Sequence, residues 1–261
     1  MRKEKRCPSF FRTVRFMGDI FMAKKIVIAS GKGGVGKTSV AVGLAQALVA
    51  RERSVIVIDC DTLRSVDLLV GAGETLLYDW GDVILGRCSL DDAVCQAGGI
   101  CMMTCPHTYQ GITLKKMKEL MSALDKRYDY VLIDSPAGVE MGFILSCIAA
   151  DSGIVVSTPD PVCVRSVGTT ANEMGNYGVK DVRLIINRVI KRDLKRSRML
   201  NFDSVIDMTE VQLIGVIPED DRIRFAPMGG KIYERRNSSY RAFSNIAARL
   251  DGESVLLSYY C

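Results

Sequence analysis

The sequence carries its strongest chemical signal in ten consecutive residues, Ser30-Gly31-Lys32-Gly33-Gly34-Val35-Gly36-Lys37-Thr38-Ser39. The spacing Gly31-x4-Gly36-Lys37-Thr38 fits a Walker A phosphate-binding loop in full. Glycines at these positions let the backbone curl so that its N–H groups face phosphate oxygens. A helix that starts at the end of such a loop adds partial positive charge at the same point. Lys37 is placed to reach the β- and γ-phosphates of a nucleotide, and the Thr38 hydroxyl to ligate Mg²⁺. A glycine-rich turn that binds nothing is the competing reading. The context argues against it: the β-branched run Lys25–Ala29 precedes the loop and the Ala/Leu/Val stretch Val40–Ala50 follows it.

Two acidic elements lie downstream. Ser54-Val-Ile-Val-Ile-Asp59 reads as a buried strand ending in Asp59-Cys60-Asp61, and Tyr128-Asp-Tyr-Val-Leu-Ile-Asp134 as another, with the apolar core and final aspartate of a Walker B element. Carboxylates at the C-terminal ends of parallel strands fall on the edge where α/β sheets bind ligands. A lone Asp-x-Asp is weak evidence; three elements in this order make a strong set.

Lys32 is not required by the general phosphate-loop pattern. Lys-Gly-Gly-x-Gly-Lys-Thr is the deviant Walker A of the MinD/ParA family, and the chain resembles that family from about Lys24 to Leu250. Asp134-Ser-Pro-Ala-Gly-Val-Glu140, Gly215-Val-Ile-Pro-Glu-Asp220 and Tyr78-Asp-x-x-x-Val-Ile-x-Gly86 bring it closest to the MinD branch, the ATPases that select the cell-division site. The resemblance implies ATP and Mg²⁺ as ligands. It implies that Lys32 crosses a dimer interface to the partner's nucleotide, and that Asp134 and Asp59 serve the Mg²⁺ shell. It implies that Asp61 orients the attacking water, and that Asn187 with Pro218-Glu219-Asp220 recognises adenine. Gly31, Gly33, Gly34, Val35, Gly36 and Ser39 complete the implied nucleotide site around Lys37 and Thr38. Two departures stand out. The segment Asp61–Asp67 is one residue shorter than the family's switch loop, and the last eleven residues contain no base, whereas the family usually ends in a basic amphipathic helix.

The elements that must position these residues alternate along the chain. Further strands are expected at Ile100–Cys105, Gly153–Ser157, Val182–Asn187 and Val211–Pro218. Helices are expected at Leu76–Gly86, from Ser89, at Leu114–Arg127, Val139–Ala150, Val162–Met174 and Ser238–Leu250. Such alternation predicts a single-domain α/β P-loop NTPase fold, a mostly parallel sheet with helices on both faces. Residues 188–198 hold six bases against Asp193 and read as an irregular stretch, either a solvated loop or a docking surface for an acidic partner.

Composition bounds the rest. The 261 residues are 48% hydrophobic and 25% charged, ordinary for a soluble domain, and no apolar run is long enough to span a membrane. Residues 1–21 hold six bases and two acids, so most of the chain's net charge of +5 sits there and the body is close to neutral. That argues against strong binding to nucleic-acid phosphates, and no specific nucleic acid is expected. The nine cysteines form no C-x-x-C pair, and His107 is the single histidine, so neither a disulfide framework nor a histidine-rich metal site is expected.

The division of the chain reads as a basic extension, 1–21, disordered or preceding a start at Met22; an ATPase domain, 22–250; and an apolar tail, 251–261. The expected activity is hydrolysis of ATP to ADP and phosphate in a switch whose ATP-bound homodimer meets an inhibitor and an ATPase-stimulating regulator of the division-site system. The alternatives are a ParA-like positioning ATPase and an ATP-binding scaffold with weak hydrolysis. The expected location is the cytoplasm, with peripheral attachment to an anionic membrane in the ATP state left open. Phe10, Phe11, Val14, Met17 and Phe21 fall at helical spacing beside Arg12 and Arg15, while Val255, Leu256, Leu257, Tyr259 and Tyr260 are the other apolar candidate anchor.

Overall fold

The computed structural model describes residues 22–72, 76–224 and 232–257. The proposed N-terminal anchor, Tyr259 and Tyr260 lie outside them. The strands are β1 (Lys24–Ala29), β2 (Val55–Asp59), β3 (Cys95–Ala97), β4 (Ile100–Met103), β5 (Tyr130–Asp134), β6 (Ser152–Ser157), β7 (Asp181–Val189) and β8 (Gln212–Pro218). They form one sheet in the order β3-β4-β2-β5-β1-β6-β7-β8, parallel throughout except for the antiparallel edge pair β3–β4. The fold expected from the sequence, a mostly parallel sheet of the P-loop NTPase type, is therefore present.

Every residue of β2 and β5 is buried. Both faces of these strands are covered, so Val-Ile-Val-Ile-Asp and Tyr-Val-Leu-Ile-Asp read as continuous apolar runs rather than alternating ones. The pleat sends successive side chains to opposite cores. Ile26 and Ile28 of β1 join one, with Phe243 and Ile246 of α11 (Tyr240–Leu250) and the buried face of α1 (Lys37–Val49). Val27 and Ala29 join the other, with Met117 and Leu124 of α5 (Leu114–Asp125), Phe143 of α6 (Met141–Ile148) and Val164 of α7 (Pro161–Asn176). Each fully buried Val, Leu, Ile or Phe contributes about 1.5–3 kcal/mol.

Several expectations need correction. The helix expected over Leu76–Gly86 is only α3, Trp80–Ile84; α2, Ser65–Val70, precedes it and was not expected. Asp79 starts α3 by accepting from the Asp82 N–H in a capping box, so the chain before it is not helical. The helix from Ser89 is present as α4, Leu90–Ala93, capped by Ser89. Residues 188–198 are not wholly irregular: α8, Lys191–Lys195, lies within them. Three further elements escape the sequence patterns: strand β3, α9 (Phe202–Thr209) capped by Asn201, and the one-turn α10 (Asp221–Arg224).

Residues 251–257 are tied to the domain at the edge opposite the phosphate loop. The Asp251 carboxylate, 5% exposed, pairs with Arg51 at 2.8 Å and Arg53 at 3.0 Å, and Tyr130 donates to it at 2.9 Å. Arg249 donates to the carbonyls of Val255 and Leu256. Leu256 is 88% exposed and Leu257 49%.

Candidate functional site

Sheet order brings the chemical residues together. β1 lies between β5 and β6, so the loop after β1 opens beside the Walker B aspartate at the end of β5. β2 lies on the far side of β5, with Asp59 paired to Asp134 in register. β7, which carries Asn187, stands two strands from β1 on the other flank. All of these residues are at the C-terminal edge of the sheet, where the connection after β1 leaves toward β2 and the one after β5 crosses β1 to reach β6.

The loop itself is set by its backbone. Gly36 has φ of 96°, a left-handed conformation that costs an L-residue about 1 kcal/mol or more. A Cβ on Gly36 would also lie 2.4 Å from Asn187 Nδ2. No side chain caps α1, so the first-turn N–H groups are left to an anion. Ser30 Oγ donates to the Lys32 carbonyl at 2.7 Å and closes the loop's first turn. Gly31, Lys32, Gly33 and Gly34 are exposed, Val35 and Lys37 are buried, and Thr38 and Ser39 are partly covered. The two lysines of the motif are thus separated: Lys37 is held inside the site, and Lys32 stands out from it into solvent.

Two carboxylates sit buried behind the loop. Asp59 accepts from the Asp61 N–H at 2.8 Å and the Val66 N–H at 3.2 Å. Its pKa is nonetheless raised well above the ordinary value, by burial first and by the neighbouring Asp134 second. Asp134 is wholly buried, and neither of its oxygens closes a hydrogen bond of good geometry among the described residues. Burial pushes its pKa up to about 7, against the pull of the Thr38 hydroxyl and the Lys37 ammonium. An orphaned buried carboxylate is costly unless a cation or donor joins it. No group of three or more His, Cys, Asp or Glu side chains able to hold a metal occurs among the described residues. The orphaned Asp134 carboxylate, with the Thr38 hydroxyl and Asp59 beside it, is a set of oxygen donors that fits Mg²⁺, which takes few protein ligands and keeps its other positions for water and phosphate.

Asp61 follows directly on β2 and is partly covered; its Oδ1 accepts from the Leu63 N–H at 3.0 Å. Asn187 is 7% exposed and donates from Nδ2 to the Val35 carbonyl at 2.8 Å, so it touches the phosphate loop directly. Pro218 pairs with Val189, next to Asn187. Glu219 lies 3.9 Å from Arg188, and the Asp220 carboxylate accepts from Ser238 and Ser239 at the approach to α11. Asn187 is thus in contact with the phosphate loop and Asp59 with Asp134 across neighbouring strands, while Asp61 follows β2 and Pro218, Glu219 and Asp220 stand at the end of β8, in contact with β7 and the start of α11.

Three further residues of this region carried no sequence signal. The Trp80 indole N–H donates to the Asp59 carbonyl at 2.7 Å, and the Tyr109 hydroxyl donates to the Cys60 carbonyl at 2.6 Å. Arg64 donates to the Cys105 carbonyl at 2.7 Å and pairs with Asp79 at 3.1 Å. Backbone acceptors leave no residue-type signature, so only the folded chain displays these contacts.

The geometry agrees with the comparisons. The CobQ/CobB/MinD/ParA nucleotide binding domain matches residues 26–232. The septum site-determining protein MinD of Bacillus subtilis is 32% identical over 249 residues, covering 90% of this chain and 92% of its own. A chain of the MinC:MinD cell division protein complex of Aquifex aeolicus superposes with a TM-score of 0.84 at 30% identity, covering 92% of this chain and all of that one. The Pyrococcus horikoshii septum site-determining protein MinD, solved with Mg-ADP, gives a TM-score of 0.77 at 27% identity over 88% of this chain and 96% of its own. A phosphate loop with a second, exposed lysine, a buried aspartate pair behind it and these likenesses place the chain in one group: it belongs to the MinD branch of the CobQ/CobB/MinD/ParA nucleotide-binding family.

Proposed function

We propose that this protein is an ATP-hydrolysing switch in division-site selection, dimeric with ATP and released by hydrolysis. The observation that carries this reading is the division of labour between the two lysines: Lys37 is buried beside Asp134, and Lys32 is exposed on the same edge. One cation serves the protomer's own nucleotide, and the other is free to serve a partner's. The P. horikoshii relative was solved with Mg-ADP, which supports the same ligand class here.

Thr38 and Asp134, with Asp59 behind them, are the residues that would hold Mg²⁺. When bound, the ion offsets the charge of the β- and γ-phosphates and of the buried aspartates. The loop N–H groups from Gly33 to Ser39 cradle the phosphates, with Gly31 shaping the turn, and Lys37 supplies a charge-assisted contact. Lys32 reaches across the dimer to the partner's phosphates. Asp61 orients a water in line with the γ-phosphoryl group, which passes to that water and leaves ADP. Asn187 Nδ2 is committed to Val35, so its Oδ1 serves as acceptor for the amino group of adenine. Pro218, Glu219 and Asp220 line the base from β8.

The partners we assign are a second copy of the chain and division-site effectors, an inhibitor and an ATPase-stimulating regulator; the A. aeolicus MinC:MinD complex supports an effector of this kind. We place the protein in the cytoplasm with peripheral attachment to the membrane in the ATP state. No helix of the described residues is long and apolar enough to cross a bilayer. The exposed Leu256 and Leu257 offer one apolar contact and the basic N-terminal extension another.

Steady-state phosphate release tests the activity. The wild type with Mg-ATP should turn over, and Lys37→Ala should lose nucleotide affinity by about tenfold or more, the weight of one charge-assisted bond. A wild type that binds Mg-ATP without releasing phosphate contradicts the hydrolytic reading.

A further inference from the structure

Asp61 follows two peptide units that lie just past the end of strand β2. Each of these units is held at both ends. In the first, the Cys60 N–H donates to the Asp134 carbonyl at 2.9 Å, and the Asp59 carbonyl accepts from the Trp80 indole at 2.7 Å. In the second, the Asp61 N–H donates to Asp59 Oδ1 at 2.8 Å, and the Cys60 carbonyl accepts from the Tyr109 hydroxyl at 2.6 Å. A peptide unit is planar, so fixing its oxygen and its N–H fixes where the next Cα lies and the axis about which its side chain can turn. The Asp61 Cα is thus placed by two side chains that act on the backbone before it, through the Asp59 and Cys60 carbonyls.

The two donors support one another. Trp80 is wholly buried, and its ring stacks on Tyr109 with centroids 6.1 Å apart. Gly142 of α6 leaves the space for the second bond: a Cβ there would lie 2.5 Å from Tyr109 Oη and 2.8 Å from the Cys60 carbonyl. The far side of the turn is fixed to the same two segments. The Arg64 N–H closes on the Asp61 carbonyl at 2.9 Å, while the Arg64 guanidinium reaches Cys105, before Tyr109, and Asp79, before Trp80. These contacts hold both sides of the turn that carries the aspartate.

We propose that Tyr109 and Trp80 are positioning residues for hydrolysis, acting through Asp61 by gripping the Cys60 and Asp59 carbonyls. The proposal rests on the hydrolytic reading above. Asp61 must meet a water held against the γ-phosphate, and a misplacement of about 1 Å costs such a geometry on the order of a hundredfold. The residues assigned to the nucleotide itself, the phosphate loop, Asn187, Pro218, Glu219 and Asp220, lie on other segments, so the two donors should affect turnover more than ATP affinity.

The test uses the full chain with Mg-ATP, comparing wild type, Tyr109→Phe and Trp80→Phe, each of which keeps the ring and loses the donor. Both variants should lower kcat by about tenfold or more with KM for ATP within about twofold, at temperatures well below their unfolding midpoints. In an Asp61→Asn background, Tyr109→Phe should change the single-turnover rate by less than about twofold, because its effect runs through Asp61. An unchanged kcat in both variants overturns the proposal. So does a loss of ATP affinity equal to the loss of turnover, or an undiminished Tyr109→Phe effect in the Asp61→Asn background. A wild type without turnover overturns the hydrolytic reading and takes the clamp with it. A turning-over wild type matched by both Phe variants overturns the clamp alone.

Discussion

At the scale of single residues, the site is built from groups that are uncomfortable without a ligand. Asp134 is the clearest case, a buried carboxylate that closes no hydrogen bond of good geometry among the described residues. Replacing it with the isosteric amide should remove a charge that burial disfavours. Asp134→Asn is therefore expected to leave the apo protein as stable or up to about 1–2 kcal/mol more stable. The same change should abolish the stabilisation that Mg²⁺ adds in the presence of nucleotide. Thermal unfolding with nucleotide, with and without chelator, checks both halves; an amide variant that still responds to Mg²⁺ removes Asp134 from the metal site. These residues were legible in the sequence because the phosphate loop is one local string and both aspartates end apolar runs. Trp80, Tyr109 and Arg64 were not legible: their partners are backbone carbonyls of Asp59, Cys60 and Cys105.

At the scale of elements, legibility tracks burial. The central strands announce themselves because both faces are covered, and long helices such as α5 and α7 because one stripe is buried. Helix α8 buries none of its residues, so the cations of 188–198 left no periodic signal to read. Strand β3 has three residues, too few to show an alternation. Helix α9 was not expected either, although Asn201 caps it, its side chain accepting from the Ser204 N–H at 2.7 Å.

The end of α11 is joined to the turn before β2 and to β5 through Asp251. Burial alone would raise its pKa, but the hydrogen bonds from Arg51, Arg53 and Tyr130 outweigh it and hold the carboxyl below its ordinary 3.8. A folded-state pKa lower than the unfolded one gives stability that is present above the unfolded pKa and lost as pH falls through the folded one. Asp251→Asn should accordingly cost about 1–2 kcal/mol in urea unfolding at pH 7, a figure reduced for the partial exposure of both arginines. The gap between variant and wild type should narrow as pH drops below about 4. A gap that is constant with pH would mean that packing, not charge, ties the element down.

At the scale of the whole molecule, the sheet order is what makes the site, and no local pattern contains it. Lys37, Asp59, Asp134 and Asn187 come from four segments spread over 151 positions and meet because β1 is threaded between β5 and β6. Crossover connections of one hand narrow the possible orders, yet the choice among them is made by long-range packing. The same threading places Lys32 on this edge, exposed among the described residues.

The central claim is that ATP joins two protomers and hydrolysis separates them. Light scattering after size exclusion measures it directly, on wild type, Lys32→Ala and Asp61→Ala in Mg-ADP and in Mg-ATP. The account predicts monomers for all three in ADP, a persistent dimer for Asp61→Ala in ATP, a decaying dimer for wild type as ATP is consumed, and monomer for Lys32→Ala throughout. A Lys32→Ala chain that dimerises with ATP as the wild type does, or an Asp61→Ala chain that stays monomeric, would contradict it.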